Sequence, residues 1–125
     1  MALRVLHVED DPDIRTITKI ALDHAGGFEL VQCEDGQAAL DYAPGTSSDV
    51  LLFDLMIPNM SGDVLLAEIR KVPNYEDTLV IFMTAKGQAA ELDALKDIGA
   101  LDVIVNPFDP MSLGDQIKKI IGVVD

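Results

Sequence analysis

The first chemical signal is a set of carboxylates at two places in the chain. Glu9-Asp10-Asp11 directly follows the apolar run Leu3–Val8, and Asp54 directly follows Val50–Phe53. Thr84 closes a third run, Leu79–Met83, and Asn106-Pro107 closes a fourth, Val103–Val105. Two carboxylates about 4 Å apart repel by roughly 4 kcal/mol at an effective dielectric of 20. Gathering Glu9, Asp10 and Asp54 therefore demands relief, either from protonation at a raised pKa or from a cation. Mg²⁺ suits such a site, because it takes one or two carboxylates, keeps waters and leaves room for a phosphate oxygen. No His accompanies the acids, which disfavours zinc. Carboxylates, a hard cation and a hydroxyl together suit phosphoryl transfer, with a carboxylate as nucleophile forming an acyl phosphate.

These residues meet only if the elements behind them bring them together. Five short apolar runs recur: Leu3–Val8, Phe28–Cys33, Val50–Phe53, Leu79–Met83 and Val103–Val105. Most lack polar alternation, which is how strands read when helices cover both faces of a sheet. Between them lie helical stripes. Ile14, Ile17, Ala21 and Ala25 share one face behind Asp11 as N-cap and Pro12 at the first helical position. Asp35-Gly36 opens a short second helix, and Ser61 caps a third with Leu65, Leu66 and Ile69 inward. A fourth carries Leu92, Leu95 and Ile98 and stops at Gly99. The last begins at Asp109-Pro110 and presents Leu113, Ile117, Ile120 and Ile121. The order is βα five times over, an α/β chain with a parallel sheet and right-handed crossovers. In such sheets ligands bind beyond the carboxyl ends of the strands, where strand order reverses. All four polar strand ends then converge on one site.

Composition narrows the function classes. The 125 residues are 49% hydrophobic, enough for one sizeable core, and the turn-rich loops Pro44–Ser48 and Val72–Asp77 are too short for linkers. The expectation is a single domain over residues 1–125. The net charge of −13 and the lack of any Lys/Arg cluster argue against direct nucleic-acid binding. No stretch reaches the length of a membrane span and Met1-Ala2-Leu3-Arg4 opens no signal peptide, so a cytoplasmic protein without membrane contact is expected. Cys33 is the sole cysteine and reads as a small core residue.

Blander roles compete for the same side chains. Asp11, immediately before Pro12, reads as a helix cap. Asp54 has no such local task, because helix signals resume only at Ser61, and it stands as the functional candidate. His7, inside the first strand, and His24, near the end of the first helix, read as structural or solvated. Met56, Met60 and Met83 read as packing residues, since thioethers suit softer metals. Glu76-Asp77 reads as a solvated loop.

Taken in combination, Leu6-His7-Val8-Glu9-Asp10-Asp11, Leu51 through Pro58, Met83-Thr84-Ala85, Gly99-Ala100 and Asn106-Pro107-Phe108 resemble the receiver domains of two-component response regulators. The resemblance spans about residues 3 to 121. It implies a doubly wound, flavodoxin-like (βα)5 fold with strand order 2-1-3-4-5. It implies a signalling module rather than an enzyme, in which Asp54 receives a phosphoryl group from a histidine kinase or phosphotransfer protein. Asp10 would bind Mg²⁺ directly, Glu9 would hold it through water, and the Met56 backbone carbonyl would complete the protein ligands around Asp54. Thr84 would turn its hydroxyl toward the phosphoryl group. Output would pass to a downstream protein through the face formed by the fourth helix, fifth strand and fifth helix.

Two positions depart from the family pattern. Asn106 stands where members usually carry Lys, and a neutral hydrogen bond has about half the strength of a charge-assisted one. Val103 stands where an aromatic residue usually swings with the Thr. Lys86, two residues after Thr84, reads first as a solvated surface lysine, although its flexible stem allows the ammonium to reach inward. The departures open a second reading, a pseudo-receiver that binds partners without depending on phosphorylation. A third, an aspartate-nucleophile phosphatase, needs a second acid two residues after the nucleophile, where this chain has Met56.

Overall fold

The structure, a computed structural model, describes residues 2–85 and 92–122; Lys86 and the side chain of Leu92 lie outside the described residues. The chain alternates β1 (Leu3–Val8), α1 (Pro12–Ala25), β2 (Phe28–Cys33), α2 (Gly36–Tyr42) and β3 (Val50–Asp54). It continues through α3 (Gly62–Ile69), β4 (Leu79–Ala85), α4 (Leu92–Asp97), β5 (Asp102–Asn106) and α5 (Leu113–Ile121). All strand pairings are parallel, in the order β2-β1-β3-β4-β5. The chain steps from β1 to β2 on one side and returns to lay β3 on the other. The reversal of direction therefore falls between β1 and β3, with Val8 opposite Phe53 at its carboxyl end.

Alternate strand residues feed two cores, which explains the unbroken apolar runs. Leu6, Val8, Leu51, Phe53, Val80 and Phe82 pack beneath α2, α3 and α4 through Ala39, Leu65, Leu66, Ile69 and Leu95. Val5, Leu52, Ile81, Met83 and Ile104 pack beneath α1 and α5 through Ala21, Leu22, Leu113 and Ile117. A sheet covered on both faces leaves its apolar side chains no wet side, so polar alternation disappears.

Several local expectations need correction. The buried face of α1 is Thr18, Ala21 and Leu22, whereas Ile17 is 41% exposed. At the end of α1, α5 packs so closely that a Cβ added at Gly114 would fall 2.2 Å from Cβ of Ala25. Asp109-Pro110 does not start α5. Asp109 instead closes a turn, its Oδ1 accepting from Met111 N–H at 3.0 Å and its carbonyl from Ser112 N–H at 3.1 Å. The helix begins only at Leu113. In α4, Leu95 is buried but Ile98 lies past the helix end and is 49% exposed. Ser61 occupies the α3 N-cap without a side-chain cap bond. By contrast, Asp11 and Asp35 cap α1 and α2, accepting from Asp13 N–H and Ala38 N–H, each at 2.8 Å.

Candidate functional site

Four of the five strands, β1, β3, β4 and β5, deliver a polar group at the same end of the sheet. Glu9 is the first residue past β1, and its N–H donates to the Cys33 carbonyl at 3.0 Å, which extends the β1–β2 ladder by one step. That extra step draws the Glu9 side chain into the fold, where it is buried. Its Oε2 accepts from Asp11 N–H at 3.2 Å, while Oε1 meets no donor. Asp10 follows in the turn and is exposed.

Asp54 ends β3 opposite Met83. Its Oδ1 accepts from Met56 N–H at 3.0 Å, a local turn that aims the carboxylate off the strand end. The loop then doubles back, with Leu55 N–H bound to the Met83 carbonyl at 2.9 Å and Gly62 N–H to the Leu55 carbonyl at 3.0 Å. Gly62 permits this return, because a Cβ there would sit 2.5 Å from the Asp54 carbonyl oxygen.

Glu9, Asp10 and Asp54 come together, with one carboxylate oxygen from each within 4.8 Å of the others. Burial first, then the adjoining Asp54 carboxyl, push the Glu9 carboxyl up to about 9. A divalent cation offers the other form of relief. The donor set is all hard oxygen, one donor oxygen is buried without a partner, and neither His nor Cys joins the cluster among the described residues. The site fits Mg²⁺ on these grounds.

Thr84 is buried near the end of β4 opposite Val105, and Asn106 ends β5 opposite Ala85. A cis peptide joins Asn106 to Pro107, and Asn106 borders an apolar groove of about 310 Å³ with Ile14, Ile17 and Phe108. Val103 is half-buried against the core. Asp11 serves α1 as its cap and stands outside the carboxylate cluster. Met83 and Met60 pack as expected, but Met56 is 63% exposed and contributes backbone rather than packing. His24 is exposed.

Sequence reasoning missed the groups that brace this site. Arg15 Nη1 donates to the carbonyls of Glu9 at 2.7 Å and Asp10 at 3.1 Å. Gln32 Nε2 bonds the Arg15 carbonyl at 2.8 Å and lies 3.1 Å from His7 Nδ1. His7 is fully buried and its pKa is lowered to about 4, by burial first and then by the Arg15 charge. A signal for Arg15 existed: it is the one cation between Arg4 and Lys19, and it follows three acids by a helical turn.

Known proteins share this arrangement. Residues 5–118 match the family described as response regulator receiver domain. The chain is 30% identical over 121 residues to the chemotaxis protein CheY homolog of Campylobacter jejuni, covering 96% of this chain and 93% of that protein. It is 32% identical to the phosphate regulon transcriptional regulatory protein PhoB of Escherichia coli, covering 96% of this chain and 52% of PhoB. It thus spans about half the length of the first curated relatives it matches. Among solved structures, chemotaxis response regulator CheY4 of Vibrio cholerae superposes with a TM-score of 0.86 at 28% identity, covering 96% of this chain and 99% of that one. The receiver domain of sensor histidine kinase PA1611 from Pseudomonas aeruginosa superposes at 0.82 and 25% identity, covering 98% and 99%. That structure carries a magnesium ion in its active-site cleft. Fold, strand order and family match agree, and this chain belongs to the response regulator receiver domains of two-component signalling.

Proposed function

We propose that Asp54 accepts a phosphoryl group from a phosphohistidine of a histidine kinase or phosphotransfer protein, and that residues 1–125 act as one receiver unit. The observation that carries this reading is the meeting of Glu9, Asp10 and Asp54 at the β1/β3 reversal. Asp10 and Asp54 would hold Mg²⁺ directly, Glu9 through water, and the Met56 carbonyl would complete the protein ligands. When bound, the ion offsets carboxylate charge and polarises phosphoryl oxygens.

In the transfer, an Asp54 carboxylate oxygen bonds to phosphorus as the P–N bond of the phosphohistidine breaks. The electron pair of that bond stays on the imidazole, which takes up a proton, and Asp54 becomes an acyl phosphate. Met56 N–H already fixes the carboxylate through Oδ1 and leaves Oδ2 for attack. The Thr84 hydroxyl and the Asn106 carboxamide donate to the new phosphoryl oxygens. Asn106 does so without charge, and Lys86 would supply a cation from the rim. The charged state then signals by altering a protein-binding surface read by a downstream protein, without direct contact to nucleic acid or membrane. The receiver reading places the module in the cytoplasm; among the described residues no helix is long and apolar enough to cross a membrane. The module itself turns over no substrate.

The test is incubation with acetyl phosphate and Mg²⁺ followed by intact mass measurement. One phosphoryl adduct is expected, absent with a chelator and absent in Asp54→Asn. An unmodified wild-type chain, or an adduct retained in Asp54→Asn, overturns the reading. Lys86→Ala slows labelling if its ammonium serves the site.

Val103 favours a second reading. Being small and packed against the core, it offers no ring to move with Thr84, so the chain could take phosphate without the family's usual rearrangement. Amide exchange of β5 and α5, compared with and without acetyl phosphate, separates the two. Identical protection in a fully labelled sample supports the pseudo-receiver.

A further inference from the structure

Two successive backbone carbonyls, those of Glu9 and Asp10, point at one guanidinium nitrogen. Arg15 Nη1 donates to them at 2.7 and 3.1 Å. A turn carrying two carboxylates for a cation has little reason of its own to stay in one shape, because the side chains repel. Here its backbone is held on both sides. Glu9 N–H is bound to the Cys33 carbonyl, and Arg15 takes the Glu9 carbonyl.

Arg15 is itself anchored. It sits in the first turn of α1, where its N–H donates to the Asp11 carbonyl at 3.0 Å. Its own carbonyl accepts from Gln32 Nε2 at 2.8 Å, a residue of β2 that also bonds His7 of β1. The chain of contacts runs from two strands through α1 to the carboxylate turn. Its end group is a permanent positive charge facing carbonyl oxygens rather than carboxylates. The guanidinium thus steadies the turn without competing for the carboxylate oxygens that a cation needs.

We infer that Arg15, held in place by Gln32, is a positioning residue that presets Glu9 and Asp10 for the divalent cation. The inference rests on the proposed receiver chemistry and concerns how the cation site is shaped. Partners outside the ligand set commonly contribute 10–100-fold to metal affinity. One nitrogen serves both carbonyls, so a lysine ammonium in the same place can do most of the same work.

The experiment is Mg²⁺ titration by calorimetry on wild type, Arg15→Met, Arg15→Lys and Gln32→Leu, with melting temperatures taken in chelator. Arg15→Met should weaken the Mg²⁺ Kd by about tenfold or more. Arg15→Lys should stay within about threefold of wild type, and Gln32→Leu should fall between Met and wild type. Labelling by acetyl phosphate should follow the same split: the Mg²⁺ concentration for half-maximal rate rises in Arg15→Met, while the rate at saturating Mg²⁺ stays near wild type. Wild-type binding with an unchanged Kd in Arg15→Met overturns the inference, as does a lowered saturating rate at unchanged Kd. Wild type that binds no Mg²⁺ overturns the receiver reading instead. If Arg15→Met does not fold, the Gln32→Leu titration decides, and an unchanged Kd there counts against the inference.

Discussion

Glu9, just past β1, and Asp54, the last residue of β3, hold carboxyl oxygens within 4.8 Å of each other where the strand order reverses. Burial first, and then the neighbouring Asp54 carboxyl, push Glu9 up to about 9. A carboxyl held this high is expected to keep its proton at neutral pH, in the place where a cation would sit.

Cation binding should expel that proton. Near pH 7 each Mg²⁺ bound is expected to release close to one proton, and the apparent Kd should tighten by up to about tenfold per pH unit as pH rises toward 9. Calorimetry in two buffers of different ionisation heat measures the release. A Kd independent of pH between 6 and 9 contradicts the prediction.

The same shift predicts stability without metal. A carboxyl raised in the folded state contributes stability that is complete below its unfolded pKa and is lost as pH rises through about 9. Glu9→Gln cannot ionise. In chelator its melting temperature should exceed that of wild type by a margin that grows from pH 7 to 9. A constant margin over that range rules out Glu9 as the source.

His7 gives the opposite slope. Its pKa falls from 6.5 to about 4 on folding, so the unfolded chain binds the extra proton between those values. The stability that neutral His7 contributes is complete above pH 6.5 and is lost as pH falls toward 4. Two and a half units at 1.36 kcal/mol each amount to about 3 kcal/mol. His7→Leu should lack this component. Urea unfolding at pH 7 and pH 4 should therefore show the variant gaining about 3 kcal/mol relative to wild type, and parallel losses would refute the assignment.

Gly62→Ala drives a methyl group toward the Asp54 carbonyl oxygen at 2.5 Å and the Leu55 Cα at 3.1 Å. Both are backbone, so the α3 loop must shift. A loss of about 1–3 kcal/mol is expected, in line with overpacking elsewhere. Because the strain falls on Asp54, acetyl phosphate labelling should slow even where the variant is fully folded. Wild-type labelling with reduced stability would separate the loop from the site.

Asn106→Lys places a charge where the family usually has one. A charge-assisted hydrogen bond is roughly twice as strong as a neutral one, so labelling of Asp54 should rise about tenfold at saturating Mg²⁺. Quench-flow or timed mass measurement reads the rate. An unchanged rate means that another group already meets the phosphoryl oxygens.

Much of this was legible in the residues. The apolar runs marked all five strands, and the chemistry-bearing acids stood where those runs end, so the cluster of Glu9, Asp10 and Asp54 follows once β1 and β3 are parallel neighbours. What escaped was set by three-dimensional neighbours. Ile17 satisfied a helical period, yet it is exposed while Thr18 and Leu22 join Ala21 on the buried face of α1. Asp109 before Pro110 fitted a helix start, and its side chain does take the Met111 N–H, but the backbone closes a turn from Asp109 to Ser112 and the helix begins at Leu113. Arg15 and Gln32 act through carbonyls, which side-chain spacing does not reveal.

The β1–β3 pairing has a consequence for how the molecule comes into being. Glu9 and Asp10 are synthesised long before Asp54, and only the register that sets Val8 opposite Phe53 brings them together. A slip of one residue would turn every side chain of the strand to the other face and scatter the acids. A nascent or misassembled chain thus has nothing to hold the cation or orient the nucleophile. On the proposed chemistry, competence to take up phosphate would be a certificate of correct assembly, issued only when the central pair of strands has locked.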